Sequence, residues 1–255
     1  MTPPMKHLIA GNRSIARRIF LFLIVAIVLN VGGCKKKPPQ PLDVLTPPSL
    51  HAVVGELGGM FEQNYGIPVH VKPVDLSHVD CETHDDILFC YDPQKSKSLD
   101  ETGCVADILP LSYTFPVFVL PKDNPRQITN LEELLAQDLK IAIQDQSDKL
   151  RQLADRYFPG HAPWPEIDSK ASLVDELKKS TCDAVLTWKF IADNYGEDQV
   201  TIIPLPNDPE STVNIDVLVL THCKDIPTYN AFLKTLTSKS GRDILKKHNL
   251  ASVFR

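Results

Sequence analysis

A serine at the start of the first predicted helix offers the clearest binding chemistry in the chain. Ser49 precedes apolar residues that recur at three-to-four spacing up to Gly66, so its N–H and its hydroxyl both lie at a helix N-terminus. Because the positive end of a helix dipole favours negative charge, such donors can hold a dehydrated oxyanion without a counter-charge. The alternative is an ordinary N-cap serine whose hydroxyl faces its own helix.

A second group has the residue types of a metal site. His78, Cys81 and His84 follow one another at a spacing of three, with Cys90 and further acids nearby. Imidazole and thiolate are ligands for zinc or copper, and these three side chains could close on one ion. The chain has neither a C-x-x-C pair nor an H-E-x-x-H motif, so a structural disulfide with surface histidines is the favoured interpretation.

Motifs of nucleophilic catalysis and of ATP hydrolysis are missing from the sequence. Neither G-x-S-x-G nor S-x-x-K occurs, and there is no G-x-x-x-x-G-K-[ST]. We therefore expect no enzymatic activity and no cofactor.

The beginning of the chain reads as a targeting segment. Four basic residues precede an uncharged apolar run, Ile19 to Val31, which is shorter than the roughly 20 residues needed to span a bilayer. Val31-Gly32-Gly33-Cys34 resembles the lipobox of bacterial lipoproteins, which implies an acylated Cys34. We predict a signal peptide over 1–33 and a lipidated, Pro/Lys-rich tether over 34–42. An uncleaved anchor or an ordinary secretory signal is the alternative, and each of these places the folded part outside the cytoplasm.

Cysteine usage and charge narrow the class of protein. With Cys34 assigned to lipid, an odd number remains, so at least one thiol is free; the candidates for pairing are Cys81, Cys90, Cys104, Cys182 and Cys223. We expect a disulfide between two of the three cysteines that lie close together in sequence, from 81 to 104. The formal net charge is -5, and removing the four basic residues of 1–33 makes it -9, which argues against nucleic-acid binding.

Strands and helices alternate along the rest of the chain, which predicts an α/β architecture with largely parallel sheets. Thr114 to Leu120 is a predicted strand whose Pro116 indicates an edge or a crossing strand. Thr129 to Glu132 has the T-x-x-E pattern of a helix capping box. The stretch Asp75 to Pro110, with one short strand, is expected to be irregular. The other predicted strands are 69–71, 87–91, 139–143, 184–188, 200–205 and 213–220.

The order of these elements, together with several segments, resembles the molybdate-binding family among the solute-binding proteins of ABC importers. The matching segments are "TPPSL" (46–50), "MFEQNYGIPVHV" (60–71), "DILFCYD" (86–92), "VFVLPKDNP" (117–125), "CDAVLTW" (182–188) and "FLKTLTSKSGRDILKKHNL" (232–250). The resemblance implies a two-lobed, type II periplasmic-binding-protein fold, each lobe a mixed sheet flanked by helices, with the ligand cleft between the lobes. It places lobe 1 at 43–118 plus 207–255, and lobe 2 at 119–206.

The same resemblance implies positions for ligand contacts. Ser49 matches a ligand serine, Ser77 is the nearest match to a second one, and Trp188 stands where the family has a tyrosine. Ser147 lies in the turn before a lobe-2 helix and is a further candidate donor. Asp145 and Asp148 in that turn oppose a bound anion, since each such repulsion at 4 Å and an effective dielectric near 20 is worth about 4 kcal/mol.

The expected function is therefore that of a monomeric, lipid-anchored binding protein of the cell envelope, facing the periplasm or the exterior. Its expected partners are the permease of an ABC importer, the membrane through Cys34, and a small oxyanion, molybdate or tungstate first. The alternatives are another small solute or a transition-metal ion as ligand, or a non-transport lipoprotein or metal-dependent enzyme that retains the fold.

Overall fold

The structure is a computed structural model that describes residues 39–254 except 145–147, 161–162, 168–171, 197, 207–209 and 224. The predicted signal peptide, Cys34 and most of the tether lie outside the described residues. Within the described part, no helix is long and apolar enough to cross a membrane. The strands in chain order are β1 (Leu42–Thr46), β2 (Val69–Pro73), β3 (Ile87–Cys90), β4 (Val105–Thr114), β5 (Pro116–Pro121), β6 (Ile141–Gln144), β7 (Glu166–Ile167), β8 (Ala184–Trp188), β9 (Val200–Pro204), β10 (Val213–Leu220) and β11 (Ala251–Ser252).

The helices cover the faces of the sheets that these strands form. In chain order they are α1 (His51–Tyr65), α2 (Pro93–Glu101), α3 (Leu131–Leu135), α4 (Asp148–Tyr157), α5 (Leu173–Lys178), α6 (Lys189–Asp193), α7 (Ile226–Thr237) and α8 (Lys239–Lys247). Two single turns of 3-10 helix, Pro48–Leu50 and Leu76–His78, follow β1 and β2.

The first sheet has the order β11-β4-β10-β3-β1-β2. Strand β1 pairs in parallel with β2 and β3, so that Val44 lies between Val71 and Ile87. Strand β10 pairs antiparallel with β3 and β4, and β11 pairs antiparallel with β4. One face of this sheet packs on α1, α7 and α8 through apolar side chains, whereas the other packs on α2.

The second sheet has the order β7-β6-β8-β5-β9. Strand β6 is parallel to β7 and β8, and β5 is antiparallel to β8 and β9. Leu173, Val174 and Leu177 of α5 pack on one face, and Leu150 and Ala154 of α4 belong to the core on the other. The chain thus forms two mixed sheets flanked by helices, the type II periplasmic-binding-protein fold.

The expectation of largely parallel sheets is wrong in detail, because an antiparallel strand enters each sheet. The chain passes from the first sheet to the second at Phe115, whose carbonyl accepts a hydrogen bond from the N–H of Lys189. Pro116 does begin a strand that follows this crossing. That strand, β5, lies inside its sheet and not at an edge, and it tolerates proline because Pro116 is its first residue.

The stretch Asp75 to Pro110 is more regular than expected. It contains α2, which Asp92 caps by accepting hydrogen bonds from the N–H groups of Gln94 and Lys95, with Pro93 at the first helical position. It also contains the first part of β4. Polar composition concealed α2, because it is a surface helix that buries little besides Leu99.

The capping box predicted at Thr129 is displaced by one residue. Asn130 is the N-cap of α3, and its side-chain oxygen accepts from the N–H of Glu133 at 2.9 Å. Glu133 in turn accepts from the N–H and the hydroxyl of Thr129, and these two hydrogen bonds lower the pKa of Glu133 below its usual value. The helix predicted to follow begins at Leu131.

Candidate functional site

Two strand edges face each other across the boundary between the sheets. The parallel strands β1 and β3 end on one edge of the first sheet, and β6 and β8 end on one edge of the second. The rings of Tyr91, directly after β3, and Trp188, the last residue of β8, meet edge to face with centroids 6.1 Å apart. Ligand sites in α/β proteins lie beyond the carboxyl ends of parallel strands, so this meeting point is the candidate cleft.

Ser49 lies in this cleft but does not cap the helix. The N-cap of α1 is Leu50, which makes no side-chain capping bond, and Ser49 lies within the preceding 3-10 turn. Its hydroxyl donates a hydrogen bond of 3.2 Å to the hydroxyl of Tyr91. The interpretation of Ser49 as an ordinary N-cap is therefore wrong, because the turn formed by Pro47 and Pro48 places the serine before the helix.

Tyr91 is a site residue that the sequence reasoning missed. Its ring is 2% exposed and contacts the rings of Trp188 and Phe190, both from the second sheet's side, with centroids 6.1 and 6.0 Å away. The available signal was its position, since it directly follows a buried strand that ends on the same edge as β1. Side chains in that position line the cleft in this class of sheet.

Trp188 has an unusual polar atom for a residue so deeply buried. The side chain is 0% exposed, and its Nε1 has no hydrogen-bond partner among the residues that the structure describes. An indole N–H can only donate. Leaving a buried donor unpaired costs about 1–3 kcal/mol, so an acceptor placed against Trp188 would relieve that cost.

A buried polar pair lies on the same edge of the second sheet. The hydroxyl of Thr187 donates to Oε1 of Gln144 at 3.2 Å, and both side chains are buried. Gln144 is the last residue of β6, and β6 pairs in parallel with β8, the strand that ends at Trp188. The pair adds polar, uncharged atoms to this edge.

The charges next to this edge are paired. Lys189, the residue after Trp188, forms an ion pair with Asp193 one turn later. At the start of α4, Oδ1 of Asp148 accepts from Arg151 at 2.7 Å, and Arg151 also binds Glu166. The repulsion expected from Asp148 is thus reduced by a guanidinium that it shares with Glu166. Asp145 and Ser147 lie outside the described residues.

Ser77 is hydrogen-bonded to Asp75. It follows β2 on the exposed surface, where its N–H and its hydroxyl both donate to Oδ1 of Asp75, at 2.9 and 2.8 Å. These hydrogen bonds, the backbone one first, lower the pKa of Asp75. The structure therefore shows Ser77 as a partner of a carboxylate, which is an unfavourable neighbour for an anion.

The cysteines and histidines of the alternative metal site have other partners. Cys81 is bridged to Cys104, which confirms that the crowded three contain the pair and leaves Cys81 no thiolate for a metal. His78 is exposed, and His84 stacks on His222 with ring centroids 4.7 Å apart. The residues 39–254 that the structure describes contain no group of three or more metal-ligating side chains.

Three further thiols are free and buried: Cys90, Cys182 and Cys223. Burial raises the pKa of Cys90 to about 12 and that of Cys223 to about 11. These cysteines therefore stay protonated at neutral pH and act as small apolar core residues.

Fold and cleft together define a two-lobed ligand-binding protein. The chain belongs to the bacterial extracellular solute-binding protein family, whose model matches residues 42–249. It is accordingly a solute-binding protein of ABC-type transport, located in the periplasm or at the cell exterior, with a small ligand and a transporter permease as partners. No curated protein matches the sequence.

Solved structures repeat this fold at low sequence identity. PEB3 of Campylobacter jejuni, in its L-phospholactate-bound structure, has 18% identity and a TM-score of 0.63 over 82% of this chain and 99% of PEB3. Iron-bound HitA from Pseudomonas aeruginosa has 13% identity and a TM-score of 0.65 over 84% of this chain and 86% of HitA. The periplasmic molybdate-binding protein of Azotobacter vinelandii has 15% identity and a TM-score of 0.59, over 82% and 98%. At these identities the likeness establishes the fold and not the ligand.

Proposed function

We propose that the chain is a lipid-anchored substrate-binding protein that captures a small oxyanion, molybdate or tungstate first, and delivers it to an importer. The observation that carries this proposal is the buried Nε1 of Trp188, a donor without a described partner, on a ring that meets the ring of Tyr91, whose hydroxyl accepts a hydrogen bond from Ser49. The chain acts by binding alone and catalyses no covalent step.

The chemistry of these groups favours an anion that only accepts hydrogen bonds. Trp188 can only donate, and the hydroxyl of Ser49 can rotate from Tyr91 toward a ligand. The 15-residue helix α1 begins at His51, two residues after Ser49, and adds the positive end of its dipole. Neutral donors that stay fixed around a dehydrated anion select it by size as well as by charge.

Molybdate and tungstate are the first candidates for two reasons. The fold matches a molybdate-binding protein, and the segments around Ser49 and Trp188 resemble that family. The ion pair of Asp148 with Arg151 also weakens the repulsion that one of the two carboxylates would exert on the anion. Ser49 and Trp188 are the proposed ligand residues, joined by Tyr91; Ser77 and Ser147 are the weaker candidates.

Cys34 supplies the proposed anchor. Acylation there would hold the monomeric binding protein close to its permease, with the Pro/Lys-rich tether leaving its lobes free to close. Cys34→Ser in the full-length chain should move the protein from the membrane to the soluble fraction. Retention of Cys34→Ser in the membrane would contradict the lipid anchor without affecting the ligand proposal.

The test of the ligand is thermal unfolding of the purified chain with molybdate, tungstate, sulfate, phosphate or zinc, each added separately. At a hundredfold excess over Kd, a ligand that binds only the folded state adds about 2.7 kcal/mol to the free energy of unfolding. We expect a clear rise of Tm with molybdate or tungstate. A rise of Tm with zinc alone would reject the oxyanion as ligand. The absence of a rise with any of the anions would reject it as well.

A further inference from the structure

The ring of Tyr91 lies in the space between the two sheets where a ligand of this class must bind. It originates at the end of β3 in the first sheet and packs against Trp188, which ends β8 of the second sheet, and against Phe190 of the following helix α6. Edge-to-face rings with centroids about 6 Å apart are in van der Waals contact. No ligand atom can therefore lie between Tyr91 and either ring.

Contacts with Trp188, Phe190 and Ser49 help to hold Tyr91 in this position. Trp188 and Phe190 cover its ring, and Ser49 fixes its hydroxyl from the opposite side. All three aromatic side chains are at most 2% exposed. A ligand can replace the hydroxyl contact with Ser49 by a small displacement, but it can replace the ring contacts only by opening an apolar cluster.

We propose that Tyr91 is the specificity-determining residue of the cleft, which limits the ligand to a single tetrahedral oxyanion and excludes phosphate or carboxylate groups carrying a carbon chain. This inference rests on the proposed function and names its size limit. On this proposal an isolated oxyanion binds at the polar end of Tyr91, where Ser49 donates to its hydroxyl. A carbon substituent on that anion would have to occupy the volume of the Tyr91 ring.

Binding measurements on four variants of the full chain test this limit, with the protein kept in detergent and titrated calorimetrically. The probes are molybdate and L-phospholactate, a phosphorylated three-carbon acid. Tyr91→Ala and the more conservative Tyr91→Leu open the space, Tyr91→Phe keeps the ring, and Tyr113→Ala removes an exposed tyrosine on β4 as the matched control. Tyr91→Leu keeps the test decisive if Tyr91→Ala fails to fold.

The wild type and Tyr113→Ala should each prefer molybdate over L-phospholactate by at least about a hundredfold in Kd, which is the discrimination of a steric clash and not of one lost contact. Tyr91→Phe, which keeps the ring, should still bind L-phospholactate as weakly as the wild type does. Tyr91→Ala and Tyr91→Leu should reduce the preference to below about tenfold, mainly by gaining phospholactate.

The outcomes separate this inference from the proposed function. Equal binding of both probes by the wild type, or an unchanged preference in Tyr91→Ala and Tyr91→Leu, overturns the inference and leaves the oxyanion function standing. A wild type that binds neither probe while Tyr91→Ala binds phospholactate supports the size limit and rejects the oxyanion. If no variant binds either probe, both proposals fail.

Acrylamide quenching gives a readout that needs no ligand. In a Trp164→Phe background Trp188 is the remaining tryptophan, since the chain has two. Its fluorescence should resist quenching in the wild type and in Tyr91→Phe, and it should be quenched several-fold more strongly in Tyr91→Leu. Equal protection in Tyr91→Leu would show that the ring does not fill the cleft and would overturn the inference.

Discussion

Ser49 donates its hydroxyl hydrogen bond to the hydroxyl of Tyr91 at 3.2 Å, although 42 residues separate them in the chain. A serine at the start of a helix ordinarily bonds to that helix. Here it bonds across two neighbouring parallel strands and fixes a ring that reaches the second sheet. The first helix, the cleft and the second sheet are therefore linked through one polar contact.

Ser49→Ala should weaken anion binding, because it removes a donor that the ligand can use. A hydrogen bond to a charged group contributes about 1.5–3 kcal/mol, so Kd should rise at least about tenfold. Titration calorimetry with molybdate measures this. The matched control is Ser77→Ala, whose hydroxyl donates to Asp75 on the surface. Equal loss of affinity in both variants would contradict the placement of the site at Ser49.

Removing the Cys81–Cys104 disulfide should destabilise the fold. The bridge closes a loop with a sequence separation of 23, for which chain entropy gives about 3 kcal/mol. Urea unfolding of the variant carrying both Cys81→Ser and Cys104→Ser should show that loss. Added reductant should lower the stability of the wild type to the same level and leave the variant unchanged. A wild type insensitive to reductant would argue that the bridge is absent in solution.

Asp216→Asn should stabilise the protein at neutral pH. Burial raises the pKa of Asp216 above its usual value of 3.8, with a hydrogen bond from Ser96 opposing the shift, and its Oδ1 has no described partner. The folded state therefore binds the proton more tightly, so the wild type loses stability as pH rises from about 3.8 through the folded pKa. Unfolding at pH 7 and pH 3 should show a gain for Asp216→Asn at pH 7 that vanishes at pH 3.

Glu56→Gln provides a comparison of opposite sign. Hydrogen bonds from Lys247 and His248, at 2.8 and 2.9 Å, lower the pKa of Glu56 below 4.5. The stability from this group is present above pH 4.5 and is lost as pH falls through the folded pKa. Glu56→Gln should thus destabilise at pH 7 and have no effect in acid. If both variants destabilise at pH 7, the assignment of Asp216 is contradicted; if both stabilise, that of Glu56 is contradicted.

Gly241→Ala should destabilise the protein, because α8 packs closely on the end of α7 at this glycine. A Cβ there would collide with the carbonyl oxygens of Thr235 and Leu236, and backbone atoms cannot move aside easily. Overpacking of this kind costs about 1–3 kcal/mol. The control is Gly55→Ala on the exposed side of α1, where a Cβ meets nothing within 4 Å and a gain of about 0.5–1 kcal/mol is expected. Thermal unfolding of both variants measures this difference. If Gly55→Ala is no more stable than Gly241→Ala, the close packing at Gly241 is contradicted.

The sequence was sufficient for elements with strong local signals. The apolar runs of β3 and β8 and the periodicity of α1 were visible in the residues themselves, and the order of elements resembled a known family. The antiparallel insertion of β10 beside β3 was not visible, because a strand partner more than 120 residues away leaves no local pattern. Surface helix α2 was missed because its cap, Asp92, precedes a segment with little apolar periodicity.

The cleft was predictable only in part, for a related reason. Ser49 and Trp188 stand at strand-to-helix junctions, which sequence can locate. The contact of Tyr91 with both depends on β1 being the neighbour of β3 and on the two sheets facing each other. Ser77 donates to Asp75, which lies only two positions away in the sequence. Sequence spacing does not show whether the Ser77 hydroxyl bonds to Asp75 or to a ligand, because that depends on the direction of the side chain.

The most direct test of the proposed site is a molybdate titration followed by nuclear magnetic resonance in a chain with labelled tryptophan. The measured quantity is the chemical shift of the indole N–H proton of Trp188. The other tryptophan, Trp164, donates its Nε1–H to Asp155 at 2.8 Å and serves as an internal control. The Trp188 signal should move downfield as a charge-assisted hydrogen bond forms, while the Trp164 signal stays in place. A Trp188 signal that does not move at saturating molybdate would contradict the proposed contact between the anion and Trp188.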